Sequence, residues 1–181
     1  LRAKDLMDAF RDKTIKGIFS AIGGEDSIRI LPYIDYDVIR NNPKIFMGYS
    51  DTTVSHFILH KAGLISYYGP SVMCSFGEYV KMFDYTKEAV KNILFKNSEN
   101  YCVKSSEYWS NDYVFWNEEN INVQRKLTKE EHGYEVISGK GKITGQLLGG
   151  CIDVIPMLLE TEIWLKADEW KDKILLIETS E

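Results

Sequence analysis

Cysteine is scarce: Cys74, Cys102 and Cys151 are odd in number and far apart. That suits a reducing compartment such as the cytosol better than a disulfide framework. Positive charge is also short. With 22 Lys and Arg against 27 Asp and Glu, the net charge is −5, and no basic cluster offsets it, which argues against a nucleic-acid scaffold. No apolar run approaches the length of a membrane-spanning helix, and the first twenty residues lack a signal-peptide pattern. Internal repeats and low-complexity tracts are absent. Histidine is rare too, with only three residues, so candidates for a catalytic base or a metal ligand are few.

What is present is ordinary for a globular chain: 44% apolar and 27% charged residues over 181 positions, enough to bury a core as one domain or two small ones. The sequence begins at Leu1 within an amphipathic helix, with Ala3, Leu6, Met7 and Phe10 on one face. It ends at Glu181, just after the apolar strand Ile174–Ile177. Neither end resembles a natural terminus, and the sequence reads as part of a longer protein.

The most informative stretch runs from Lys44 to Lys61. Ile45, Phe46 and Met47 suit a short buried strand, and from Thr53 the spacing of Val54, Phe57 and Ile58 turns helical, with Gly63 as the stop. Only Gly48-Tyr49-Ser50-Asp51 lies between strand and helix. A serine on so abrupt a turn projects its hydroxyl beside the amides that open the helix, the geometry of a nucleophile elbow. Ser, Asp and Thr are equally common as plain helix caps, and the second glycine of the usual hydrolase elbow is missing, so a structural cap stands as the alternative.

Upstream, Ile15–Ile22 predicts a strand running into Gly23-Gly24-Glu25-Asp26-Ser27. A glycine pair there permits close backbone approach and leaves amides pointing at an anion; a simple turn is the plainer reading. A short helix is predicted over Ile28–Ile34, another is capped by Asp35, and a strand follows near Ile65–Tyr68. This alternation predicts a parallel sheet with crossover helices, and such sheets bind ligands beyond the carboxyl ends of their strands. Gly23-Gly24 and Ser50 share that address.

Asp84–Phe95 reads as an amphipathic helix broken by Asn97-Ser98-Glu99-Asn100. Residues 101–133 then lose periodicity, and Tyr108, Trp109, Tyr113, Phe115 and Trp116 stand among polar residues as either a stacking surface for a planar ligand or wedges at a domain seam. Strands are predicted over Tyr134–Ser138, Lys142–Leu148 and Ile174–Ile177, with a helix near Ile152–Glu160 disturbed by Pro156. Glu178 stands just past the last strand. The division is residues 1–96, 97–133 and 134–181: an α/β domain, a linker with the aromatic stretch, and the start of a β-rich domain.

Several segments together resemble the LD-carboxypeptidase family of serine peptidases, and within it the microcin C immunity branch. They are Ile18-Phe19-Ser20-Ala21-Ile22-Gly23-Gly24-Glu25-Asp26-Ser27, Leu31-Pro32-Tyr33-Ile34-Asp35, Asn42-Pro43-Lys44, Gly48-Tyr49-Ser50-Asp51-Thr52-Thr53, Tyr68-Gly69-Pro70, Gly145-Gln146-Leu147-Leu148-Gly149-Gly150 and Ile174-Leu175-Leu176-Ile177-Glu178. The resemblance implies an α/β fold whose N-terminal parallel-sheet domain, flavodoxin- or amidotransferase-like, carries the nucleophile. A smaller β-rich domain follows, both being incomplete here. It also implies a Ser–His–Glu triad in which Ser50 attacks and Glu178 orients the histidine, with Asp51, Gly23 and Gly24 supplying oxyanion amides.

Glu25, Trp109 and Trp116 become candidates for substrate binding. Ile22 and Glu25 stand where the cell-wall branch commonly has arginine and tyrosine, which favours the immunity branch. The implied substrate is a small peptide or peptidyl-nucleotide cleaved at an amide, with a murein tetrapeptide as the alternative and an inactive binding module as a third reading. No cofactor, metal, nucleic acid or membrane is expected, and a cytoplasmic homodimer fits the family. The family's histidine follows its glutamate by a long stretch. His56 and His60 run away from Ser50 along the helix, His132 sits in a charged loop, and the His56/His60 pair lacks the glutamate of a zinc-protease motif. These 181 residues are therefore expected to be nearly inactive, because loss of the triad histidine costs about 10⁶ in turnover.

Overall fold

The computed structural model describes residues 1–96 and 100–179. They group into two compact units, one formed by Leu1–Val72 with Ile143–Glu181 and the other by Met73–Lys142.

The first unit opens with helix α1 (Arg2–Arg11), whose predicted apolar face buries Ala3, Met7 and Phe10. Strand β1 (Gly17–Phe19) is shorter than the Ile15–Ile22 expectation; Ser20 makes a last bond to the Met47 carbonyl before the chain leaves the sheet. The helix predicted at Ile28–Ile34 is instead a tight 3₁₀ segment, Ser27–Tyr33, with Pro32 inside it. Proline cannot donate the bond an α-helix would require there. Helix α2 (Tyr36–Arg40) is capped as expected: the Asp35 carboxylate accepts from the amides of Asp37 and Val38.

Strand β2 (Ile45–Gly48), helix α3 (Thr53–Lys61) and strand β3 (Tyr67–Tyr68) complete a three-stranded sheet in the order β1-β2-β3, parallel throughout. The sequence marks one apolar stripe on α3, yet every residue from Thr53 to Leu59 is buried, the polar Thr53, Ser55 and His56 included. Around it lies a core of Phe10, Ile39, Val54, Phe57, Ile58, Leu59 and Leu158, all with no exposed surface. Each such side chain is worth about 1.5–3 kcal/mol when fully buried.

In the second unit, helix α4 (Asp84–Val90) continues as a wider turn over Lys91–Phe95. Of the expected break at Asn97–Asn100, all but Asn100 lies outside the described residues. Strands β4 (Tyr108–Trp109) and β5 (Thr128–Lys129) form a short antiparallel pair that the aperiodic sequence did not announce. Arg125 forms an ion pair with the buried Glu78 carboxylate and lies over the Phe83 ring.

The chain returns to the first unit with strand β6 (Gln146–Cys151), a short helix α5 (Ile155–Leu158) and strand β7 (Lys173–Glu178). β6 and β7 pair in parallel. No strand forms over Tyr134–Ser138. The strand predicted at Lys142–Leu148 begins later and passes through Gly149 and Gly150, rather than handing over to a helix there. Both glycines have φ near +150°, and a β-carbon on them would collide with the Leu176 carbonyl and the Thr53 side chain. Their bareness lets β6 press against β7 on one side and α3 on the other. Pro156 falls in the first turn of α5, where its missing N–H is harmless, and the expected helix is cut to four residues.

Candidate active site

Parallel pairing brings the carboxyl ends of β1, β2 and β3 to one edge. β1 leads to Gly23-Gly24, β2 to Ser50, and β3 ends at Tyr68. Ser50 has φ of 57°, a left-handed conformation that L-residues adopt at a cost of about 1–2 kcal/mol. It begins the 3₁₀ turn Ser50–Thr52, which runs directly into α3. The serine is thus only half-buried at the head of a helix whose first amides carry partial positive charge.

Gly23 lies hard against this serine. A β-carbon on Gly23 would come within 2.9 Å of the Ser50 hydroxyl oxygen and 3.8 Å of the Asp51 amide nitrogen. Glu178, the last residue of β7, arrives from the distant end of the chain. A cavity of about 350 Å³ is lined by Ile22, Gly23, Gly24, Tyr49, Ser50 and Glu178. Four residues singled out from the sequence therefore share one cleft.

Two further polar links hold the cleft together, and the sequence reading passed over both. The Tyr68 hydroxyl accepts from the Ser50 amide at 2.9 Å and donates to Glu178 Oε2 at 2.6 Å. Burial, followed by the bond to the Glu178 carboxylate, pushes the Tyr68 phenol well above its ordinary range, so it keeps its proton at neutral pH. The Thr53 hydroxyl donates to the Ser50 carbonyl at 2.7 Å and accepts from the Cys151 amide at 2.9 Å, tying the elbow to β6. Position alone flags Tyr68, because it ends a parallel strand; Thr53 carries no signal apart from its place in the elbow.

Asp51 is buried, and its carboxylate accepts from the Ser27 amide at 3.1 Å and the Ser27 hydroxyl at 2.7 Å. This bond closes the loop that carries Gly23 and Gly24 onto the elbow. Glu25 sits exposed on that loop. Trp109 and Trp116 belong to the other unit, where both rings are about half-exposed and Trp116 lies 6.2 Å from the Tyr79 ring.

His56 Nε2 donates to the Gly48 carbonyl at 2.9 Å and Nδ1 accepts from the Ser66 hydroxyl at 2.7 Å, so both nitrogens are engaged. Burial lowers its pKa to about 4. His60 is partly buried near the end of α3, and His132 is exposed in the second unit. Among the described residues no group of three or more His, Cys, Asp or Glu could hold a metal ion. Nor is any helix among them long and apolar enough to cross a membrane.

Residues 1–69 match the LD-carboxypeptidase N-terminal domain, Peptidase_S66. The chain is 38% identical over 176 residues to the microcin C7 self-immunity protein MccF of Escherichia coli, covering 96% of this chain and 48% of that one. Its fold matches an MccF-like protein from Streptococcus pneumoniae in complex with AMP, with a TM-score of 0.87 at 29% identity over 99% of this chain and 57% of that one. It also matches MccF in complex with glutamyl sulfamoyl guanosine, with a TM-score of 0.84 at 35% identity over 98% and 52% of the two chains. The chain spans about half the length of the curated relatives it matches. By this domain match and a likeness that runs nearly end to end, the chain belongs to the LD-carboxypeptidase family, peptidase S66, and is MccF-like within it.

Proposed function

We propose that Ser50 is the nucleophile of a serine hydrolase that cleaves the amide joining an aminoacyl or peptidyl group to a modified nucleotide. The observation that carries this reading is the strained Ser50, held against Gly23 and sharing its cleft with Glu178. The solved complexes of an MccF-like protein with AMP and of MccF with glutamyl sulfamoyl guanosine support the nucleotide half of the substrate. In this reading Ser50 Oγ attacks the carbonyl carbon. The amide of Asp51 and the Gly23-Gly24 turn receive the oxyanion, each donor being worth about 2.7–4 kcal/mol of barrier. Glu178 orients a histidine that takes the serine proton and returns it to the leaving group.

The three histidines in these residues are each otherwise placed: His56 has both nitrogens committed, His60 follows it by one helical turn on a helix leading away from the elbow, and His132 is exposed in the charged stretch of the second unit. We place the base outside these 181 residues and expect them, taken alone, to turn over slowly. Glu25, Trp109 and Trp116 remain candidates for substrate contact, and a cytoplasmic homodimer is the expected setting.

Murein LD-carboxypeptidase activity is the second reading, favoured by the family domain matched over residues 1–69. Feeding the whole protein an aminoacyl sulfamoyl adenosine and a murein tetrapeptide in parallel separates the two. Cleavage of the nucleotide conjugate is expected; cleavage of the tetrapeptide alone transfers the assignment to the second reading.

A further inference from the structure

We propose that Tyr68 is a positioning residue for catalysis, a hydroxyl clamp that holds the nucleophile elbow and the Glu178 carboxylate in fixed relation. The inference rests on the reading of Ser50 and Glu178 as catalytic partners. It concerns a residue which that reading leaves without a role.

The clamp follows from proton counting. A phenol has one proton to donate, and Tyr68 spends it on Glu178 Oε2. Its oxygen is then left to accept, and it takes the Ser50 amide. Two consequences bear on chemistry. The Ser50 amide is committed to Tyr68, so the oxyanion must be met by other donors, which fits the Asp51 amide and the glycine turn. The Oε2 atom of Glu178 is tethered to the phenol, which restrains rotation of the carboxylate and leaves Oε1 to accept an imidazole N–H.

The ring itself is fixed in place. Gly48 and Tyr68 are register partners, and the Gly69 amide bonds the Gly48 carbonyl. The phenol ring lies tilted against His56 at 5.2 Å between centroids, and Phe46 meets the His56 ring edge-on at 5.6 Å. His56 is in turn anchored on Gly48 and Ser66. The hydroxyl is consequently aimed by a backed ring, and it joins residues 50 and 178, which the sequence keeps 128 positions apart.

A tyrosine needed only for folding would move stability, not the catalytic constant. The test is Tyr68→Phe in the whole protein, assayed on an aminoacyl sulfamoyl adenosine beside Ser50→Ala. The clamp predicts a kcat reduced about 10- to 100-fold with KM within about twofold. Labelling of Ser50 by a fluorophosphonate should slow in proportion. If Tyr68→Phe fails to fold, 4-aminophenylalanine at position 68 keeps the shape and the donation to Glu178 but accepts poorly, and an intermediate loss is expected. Wild-type kcat and labelling in whichever variant folds overturn the clamp. If Ser50→Ala also retains turnover, the nucleophile assignment itself has failed; if Ser50→Ala is dead and the Tyr68 variant keeps the wild-type kcat, only the clamp has.

Discussion

Gly23 and Ser50 touch so closely that the smallest possible side chain on the glycine would press on the serine hydroxyl at 2.9 Å. They are 27 residues apart and lie just beyond the ends of neighbouring parallel strands, so their meeting is a product of the sheet. It gives the first prediction. Gly23→Ala should leave the fold intact, since the clash falls in a cleft and not in the core, while turnover of the whole protein drops by about 10²-fold through displacement of the serine or of the neighbouring amide. Circular dichroism and kcat measured together check this; an alanine variant with full activity would contradict it.

The strain at Ser50 can be measured separately from the chemistry. Its φ of 57° suits glycine. Ser50→Gly should be more stable than Ser50→Ala by about 1 kcal/mol in urea denaturation, although both lack the nucleophile and both are inactive. Equal stabilities would mean that the bend is unstrained in solution.

The link from α3 to β6 gives a third expectation. Thr53 is fully buried, and its hydroxyl is shared between the Ser50 carbonyl and the Cys151 amide. Thr53→Val keeps the volume and leaves the Cys151 amide without this acceptor, which costs about 1–3 kcal/mol. Thr53→Ser should recover most of that. Gly150→Ala should be harsher still, because the new methyl would occupy the place of the Thr53 side chain.

Stability should fall in mild acid, and His56 sets part of the slope. Its folded pKa is depressed to about 4 by burial, below the unfolded value near 6.5. The unfolded chain therefore takes up this proton first. The contribution is whole above pH 6.5 and is lost as pH falls towards 4, a total on the order of 3 kcal/mol. Denaturation midpoints at pH 7 and pH 4.5 should differ more for the native sequence than for His56→Gln. An identical difference would show that the histidine is not buried in its neutral form.

Much of this architecture is legible in the residues because local rules and tertiary packing agree. The Asp35 cap, the abrupt turn from β2 to α3 and the parallel pairing of the first strands all follow from periodicity and turn chemistry. The reading falters where one element serves another. Gly149-Gly150 stands where the sequence passes from strand towards helix, yet it is strand because the Leu176 carbonyl and Thr53 fill the space beside it. The β4–β5 pair is only two residues long on each side, too short to imprint an alternation. Tyr68 is the most instructive omission. Its role depends on Ser50 and Glu178 arriving together, and that information is stored in sheet topology and in no single segment. The Asp51 carboxylate likewise looks like a helix cap, and in the fold it ties down the Ser27 loop instead.

The Ser50 hydroxyl is the proposed attacking group. Incubating the whole protein with a fluorophosphonate and mapping the adduct by peptide mass spectrometry tests it directly. One adduct is expected, on Ser50, with loss of turnover that tracks labelling and no adduct in Ser50→Ala. Inactivation with the label on another residue, or unchanged turnover in Ser50→Ala, would contradict it.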